Sequence, residues 1–318
     1  MGKLIIVRLL RMFATLLAVS AITFFMLKLL PGDPINQIVP LEKLDDLELV
    51  AEKEREYNLH GSSIEQYGRW LKGAIRGDLG KAITQPKRVS EIIGDRWTIT
   101  AELALVSVIF SVLLALPIGI FSAYRQGRTS DRALSAGLQT GLSIPSFVIG
   151  VFLILIFAEN LKILPATGWT RLSDSVWGNI KGVILPAIAL SMANMAVFAR
   201  LIRADMIATL QENYILSAKA KGMSDWFILF RHALRPSSLS VITVIALNLG
   251  ALLGGTVVIE QLFAIGGLGR QLYDAILRRD YFVVQGITVV IASVYVILNT
   301  MVDFVYLAID PRIRGGRH

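Results

Sequence analysis

The chain has 318 residues, 54% hydrophobic and 18% charged, with a formal net charge of +8, a pI near 9.8 and a mean hydropathy of +0.61. So little polar side chain cannot cover a water-exposed surface of this size, which excludes a soluble domain and leaves an integral membrane protein. There is no cysteine, His60, His232 and His318 are scattered, and the basic excess forms no aromatic-interleaved block; thiolate sites, a histidine metal cluster and a nucleic-acid groove are all excluded.

Six apolar stretches follow in chain order, at residues 9–30, 99–123, 134–157, 183–201, 239–262 and 284–308. A helix rises about 1.5 Å per residue, so about 20 residues cross the ~30 Å hydrocarbon layer. The pattern predicts an all-α polytopic membrane protein with six transmembrane helices and both termini on one side. The first stretch has a basic start and the small residues Ala18, Ser20 and Ala21 of a signal peptide. Its apolar run continues to Leu30, which favours a retained anchor.

Loop charge orients the bundle. Lys3, Arg8 and Arg11 precede the first span; Arg125, Arg128 and Arg132 lie after the second; Arg200, Arg203, Lys219, Lys221, Arg231 and Arg235 surround the loop after the fourth; Arg312, Arg314 and Arg317 end the chain. The short opposite loops are poorer in cations, and the long first loop is exempt by length. Both termini are therefore expected in the cytoplasm, with membrane lipid as a partner.

On the other side, residues 42–80 hold "EKLDDLELVAEKEREY" and "QYGRWLKGAIRGDLG", in which Trp70, Leu71, Ala74 and Ile75 recur at helical spacing. These predict a structured extracytoplasmic segment. "GGLGRQLYDAILRRDYF" at 266–282 predicts a short interfacial helix with Leu272, Ala275 and Ile276 on one face.

Within the spans, Gln139, Ser143, Ser146, Ser191, Asn194, Asn248 and Thr256 are candidates to line a translocation pathway, because polar groups are costly in hydrocarbon unless they face protein or water. Ordinary interhelical hydrogen bonding is the favoured reading of the set. Gly250 and Gly254 form a G-x-x-x-G seam, Pro117, Pro145 and Pro186 are candidate kinks, and Glu102, Glu260 and Asp303 read as anchors near span ends.

"YILSAKAKGMSDWFILFRHALRP", residues 214–236, interrupts two apolar runs with small and polar residues. Helix formers lead to Gly222, suited to a left-handed helix end; Ser224 is an N-cap candidate, and Phe227, Phe230 and Leu234 share a face. An interfacial helix and a protein-docking hairpin both fit that pattern. Small side chains at Ser217, Ala218 and Gly222 favour docking, since they let another protein approach the backbone.

The stretch "SAKAKGMSDWFILFRHAL" resembles the cytoplasmic EAA loop of ABC importer permeases, in the form found in the B-type permease subunit of dipeptide, oligopeptide and nickel importers. "LLPGDP" at 29–34, "QYGRWLKGAIRGDLG" at 66–80, "SIPSFVIG" at 143–150, "GGLGRQLYDAILRRDYFVVQG" at 266–286 and "DPRIRGG" at 310–316 extend the likeness in order. The EAA triplet falls on Leu216, Ser217 and Ala218, Gly266 stands for the family's proline, and Phe282 replaces the proline of "RDYP".

The resemblance implies the type I ABC importer permease fold, with 1–30 as N-terminal tail and first helix, 31–98 as an extracytoplasmic domain, 99–308 as a five-helix core with coupling loop 202–238, and 309–318 as a cytoplasmic tail. It implies a transport subunit with no catalytic residues. Its partners would be a homologous second permease, two ATP-binding subunits and an extracytoplasmic substrate-binding protein. Tyr214, Ser217, Ala218, Lys219, Ala220, Lys221, Gly222 and Ser224 would dock the ATPase. ATP and Mg would sit on the partner subunits, in keeping with the absence of a G-x-x-x-x-G-K-[ST] loop from this chain. The expected activity is import of dipeptides or oligopeptides across the cytoplasmic membrane by alternating access, with nickel or metal-chelate complexes as the alternative cargo. An ion-coupled secondary transporter would need midplane carboxylates and an inverted repeat, and a membrane-embedded enzyme a cluster of reactive side chains; neither pattern is found.

Overall fold

The computed structural model describes residues 2–29 and 34–309. Its helices are α1 (Gly2–Leu29), α2 (Ile35–Ile38), α3 (Leu47–Glu56), α4 (Ser63–Ile75), α5 (Val89–Tyr124), α6 (Thr129–Ser143), α7 (Ser146–Leu153), α8 (Val176–Leu210), α9 (Asn213–Ala220), α10 (Asp225–Phe227), α11 (Leu234–Gly255), α12 (Val257–Leu262), α13 (Leu268–Leu277) and α14 (Tyr281–Ile309). The fold is all-α, as expected. Four helices, α1, α5, α8 and α14, are long and apolar enough to cross a membrane singly; two bent pairs raise the number to six if each counts as one span.

The bends are where the structure departs from six straight rods. Residues 134–157 are not one helix: α6 and α7 meet at 98°. Pro145 lacks the amide to continue α6, and its ring drives Ile144 into extended backbone (φ −91°, ψ 121°). Pro117 and Pro186 instead lie inside the unbroken helices α5 and α8. A second pair, residues 225–237 and 241–255, bends by 55°. Two π-helical stretches, Ile154–Asn160 after α7 and Ile228–Ala233 between α10 and α11, add wider turns that apolar spacing alone does not signal.

Two compact units emerge, one formed by residues up to Thr100 with those from Gly266 onward, the other by Ala101–Ile265. In the first, α1 lies along α14, and α13 packs on α14. Asp46 caps α3, and Ser62 with Glu65 forms a reciprocal capping box on α4, so both expected helices of the 42–80 segment are present. The buried face of α4 is Gln66 and Trp70, while Ile75 is exposed. The α13 helix is not a free interfacial helix. Leu268, Leu272 and Ala275 join Val89, Ile92, Val283 and Ile287 in a core, and Ile276 points out. Asp280 fixes this core to the preceding loop, accepting from the amides of Ile83 and Thr84 and from Thr84 Oγ1, each at 2.9 Å.

In the second unit α8 is central: 61% of its apolar window is buried, against 6% for that of α1 in the first. Phe198, Ile202 and Met206 fill the interior. Gly119 of α5 lies so close to α8 that a Cβ there would stand 2.8 Å from the Ala199 carbonyl. Glu260 is fully buried in α12, not an interfacial anchor, because helix ends at Thr256 and Phe263 fold that short helix into the unit. The side chain of Asp303, the tail with Arg312, Arg314 and Arg317, and Leu30–Asp33 of "LLPGDP" lie outside the described residues.

Candidate functional site

The interruption between α8 and α11 folds as a hairpin. Its first arm, α9, ends at Lys221, after which Gly222 turns the chain at φ +73°, a conformation that suits glycine and strains other residues. Amides of Lys221, Gly222 and Met223 close on the carbonyls of Ser217, Lys219 and Ala218. The second arm opens on Ser224, whose hydroxyl accepts from the Phe227 amide at 3.4 Å.

The arms are joined by a small apolar cluster of Ile215, Ala218 and Ile228, backed by Leu210. Ala218 is 6% exposed, so its short side chain serves the packing of one arm on the other. Tyr214, Ser217, Lys219, Ala220, Lys221, Gly222 and Ser224 face outward, and a Cβ on Gly222 would meet nothing within 4 Å. Three polar ties hold the frame: Tyr214 OH donates to the His232 carbonyl (3.2 Å), Ser217 Oγ to the Asn213 carbonyl (3.1 Å), and Tyr124 OH at the end of α5 to Asp225 Oδ2 (2.9 Å). His232 Nε2 is the one buried side-chain polar atom of the hairpin without a partner among the described residues.

Beside these small and charged residues the hairpin presents an apolar ridge. Trp226 is 71% exposed and stacks on Phe230 (5.4 Å, 7°), and Leu216, Tyr214 and Phe227 are exposed beside it. The buried side of the second arm is Ile228, Leu229 and Ala233. The π turn there shifts the phase, so the face spaced as Phe227, Phe230 and Leu234 leaves both phenylalanines outside.

The polar residues of the spans are not gathered into one channel-like cluster. Ser143, Ser191, Asn194, Asn248 and Thr256 each donate to a carbonyl three or four residues back on their own helix, which satisfies them without water or a neighbour. Ser191 and Thr256 are fully buried; Gln139 is exposed and accepts from Arg200 Nη1 at 3.1 Å; Ser146 opens α7 after Pro145. Gly254 of the G-x-x-x-G pair is exposed, and among the described residues nothing beyond its own stretch of helix lies within 4 Å of its would-be Cβ.

Sequence reading missed an ion pair with a buried carboxylate and a part-exposed arginine. Asp131, near the start of α6, accepts from Arg203 Nε (2.7 Å) and Nη2 (2.8 Å), from Ser122 Oγ (2.5 Å) and from the Gly127 amide (2.9 Å). The knot ties α5, α6 and α8 together where α8 approaches the hairpin. The available signal was an aspartate in a first helical turn, which is too common to stand out.

Comparisons with known proteins agree with this architecture. Residues 115–315 match the family model described as binding-protein-dependent transport system inner membrane component. The chain is 35% identical to the probable peptide ABC transporter permease protein y4tP of Sinorhizobium fredii, over 99% of this chain and 100% of that one. It is 35% identical to the dipeptide transport system permease protein DppB of Bacillus subtilis (99% and 98%), and 36% identical to the oligopeptide permease AppB of the same organism (98% and 99%). Among solved structures, an inward-facing MetNI methionine ABC transporter superposes with a TM-score of 0.54 at 16% identity, over 69% of this chain and 96% of that one, a likeness of fold. The chain therefore belongs to the family of binding-protein-dependent transport system inner membrane components, multi-pass permease subunits of ABC importers.

Proposed function

We propose that this chain is one of two permease subunits of an ATP-driven importer that carries dipeptides or oligopeptides across the cytoplasmic membrane by alternating access. The peptide cargo rests on the names of the relatives that match over nearly the full length. The observation that carries the assembly is the hairpin, a rigidly packed element with stacked aromatic side chains turned outward. A solute needs convergent polar groups, whereas an exposed apolar ridge suits the surface of another protein.

In this reading both termini and the hairpin lie in the cytoplasm, as the loop cations indicate. An ATP-binding subunit grips Tyr214, Ser217, Lys219, Ala220, Lys221, Gly222 and Ser224, with Ala218 as the spacer beneath. ATP and Mg are held by two such subunits. Their closure displaces the hairpin, and its packed arms pass the motion into α8 and α11 as a rigid body. A substrate-binding protein delivers the solute on the opposite side. Gln139, Ser143, Ser146, Ser191, Asn194, Asn248 and Thr256 serve helix packing first, and a pathway between this chain and its sister subunit would use those that are exposed.

Gly222→Trp tests the assignment in vesicles holding the complete transporter. The bulky side chain strains the turn and stands between the hairpin and its partner. The expected outcome is loss of ATP-dependent peptide uptake and of substrate-stimulated hydrolysis, with the two permeases still co-purifying. Undiminished uptake by the variant contradicts the reading.

A further inference from the structure

The first unit encloses a cavity of about 210 Å³ lined by the end of α1, the chain after α3, one face of α4 and the start of α14. Four lining side chains carry a buried polar atom with no hydrogen-bond partner among the described residues: Gln66 Oε1, Arg69 Nε, Trp70 Nε1 and Gln285 Oε1. Gln66, Trp70 and Gln285 are themselves more than nine-tenths buried. Their orientation is fixed by what they do bond. Gln66 donates through Nε2 to the carbonyls of Leu59 and Gly61, and Gln285 through Nε2 to that of Ser20 at 2.8 Å, so in both amides it is the acceptor oxygen that is left over. Buried polar atoms without partners are rare because each forfeits its water. Four lining one cavity mark a place built for something else to supply the partners.

The leftover set has two donors, on the adjacent residues Arg69 and Trp70, and two acceptors. Charge around the cavity is unequal: Lys28, Arg69, Lys81 and Arg88 line it against Glu56 and Asp78. Glu56 is already taken, accepting from Lys53 at 2.7 Å and Lys81 at 2.9 Å, which lowers its pKa to about 2. Among the described residues, Arg69 Nη2 donates to the neutral carbonyls of Asn58 and His60. An anion therefore fits the Arg69–Trp70 side. An ammonium fits the amide oxygens, with the rings of Tyr57 and Phe282 in the wall, the Phe24 ring being already faced by the Lys28 ammonium at 6.0 Å.

We propose that this cavity binds a small zwitterion, an anionic group joined to an ammonium by a short linker. Phe24 and Leu27 sit in the last turns of α1, and Gln285 one turn into α14, so the cavity lies at the end of two apolar helices, the level of phospholipid head groups. The same chemistry belongs to a head group such as phosphoethanolamine and to a free amino-acid-like solute. The proposal does not depend on the peptide-import reading.

The full chain, purified in detergent with its co-expressed partner subunits, is titrated with O-phosphoethanolamine and, separately, with glycylglycine while thermal unfolding is followed. Native mass spectrometry then counts phosphatidylethanolamine retained from mixed-lipid nanodiscs. A saturable rise of the midpoint with phosphoethanolamine, together with one retained lipid, identifies the head group; a rise with glycylglycine and no retained lipid identifies a free solute. Trp70→Phe deletes one unpartnered N–H and keeps the ring. It does not lower the ligand-free midpoint, since the N–H it removes has no partner there, and it weakens the responding probe about three- to tenfold. Arg69→Lys, which keeps the charge and loses Nε, weakens it similarly and replaces Trp70→Phe should that variant misfold. No saturable response to either probe and no retained lipid, or equal affinity in wild type and variant, overturns the proposal and leaves a cavity filled by water alone.

Discussion

The hairpin of residues 213–233 and the cavity beside α4 are opposite solutions to the placement of polar and apolar groups. The hairpin turns Trp226, Phe227 and Phe230 outward and, among the described residues, leaves His232 Nε2 as its one buried side-chain polar atom without a partner. The cavity keeps aromatic rings in its wall and leaves four polar atoms unpaired inside. The difference teaches what each waits for. An exposed apolar ridge is completed by a large surface that excludes water, whereas enclosed donors and acceptors are completed by a ligand small enough to enter.

The comparison breaks most readily at Asp131. If buried polar groups near the hairpin are there for one another, removing one must be costly. Asp131→Ala strips Arg203 of two hydrogen bonds and leaves Ser122 and the Gly127 amide without their acceptor. The expected loss is about 3 kcal/mol, at the lower end for buried pairs because Arg203 is partly exposed to screening. Thermal unfolding of the purified chain measures it, in contrast with Trp70→Phe, which removes an unpartnered N–H and does not lower the ligand-free midpoint.

A smaller effect is expected at Ala218. Ala218→Leu overfills the Ile215–Ile228 cluster and pushes the arms apart, a destabilisation of about 1–3 kcal/mol confined to the hairpin. Hydrogen exchange should quicken across residues 213–233 and stay unchanged in α13 and α14. Lys219→Leu, one position away and exposed, should leave exchange as it is.

The hairpin was largely legible from sequence because its signals are local. Gly222 marks a positive φ, Ser224 a cap, and a polar interruption between apolar runs marks a loop. The order of the apolar runs was legible for the same reason, whereas the bends that divide two of them were not. What stayed hidden depends on partners far along the chain. Ala218 reads as a contact residue until Ile228 folds over it; Asp131 is unremarkable until Arg203, 72 residues on, reaches it. Gln66 and Gln285 line a common cavity only once α4 and α14 are both in place. Pro145, Pro117 and Pro186 look alike in the sequence, yet only the first breaks its helix, because surrounding packing decides which is tolerated.

The chain has no cysteine, so Ser217→Cys places a single thiol on the outward face of the hairpin. Crosslinking from that position in membranes that contain the complete transporter should capture an ATP-binding subunit, with a yield that changes when nucleotide is added. Capture of no such subunit, while ATP-dependent uptake by the same variant persists, would contradict the hairpin as the place where this permease is driven.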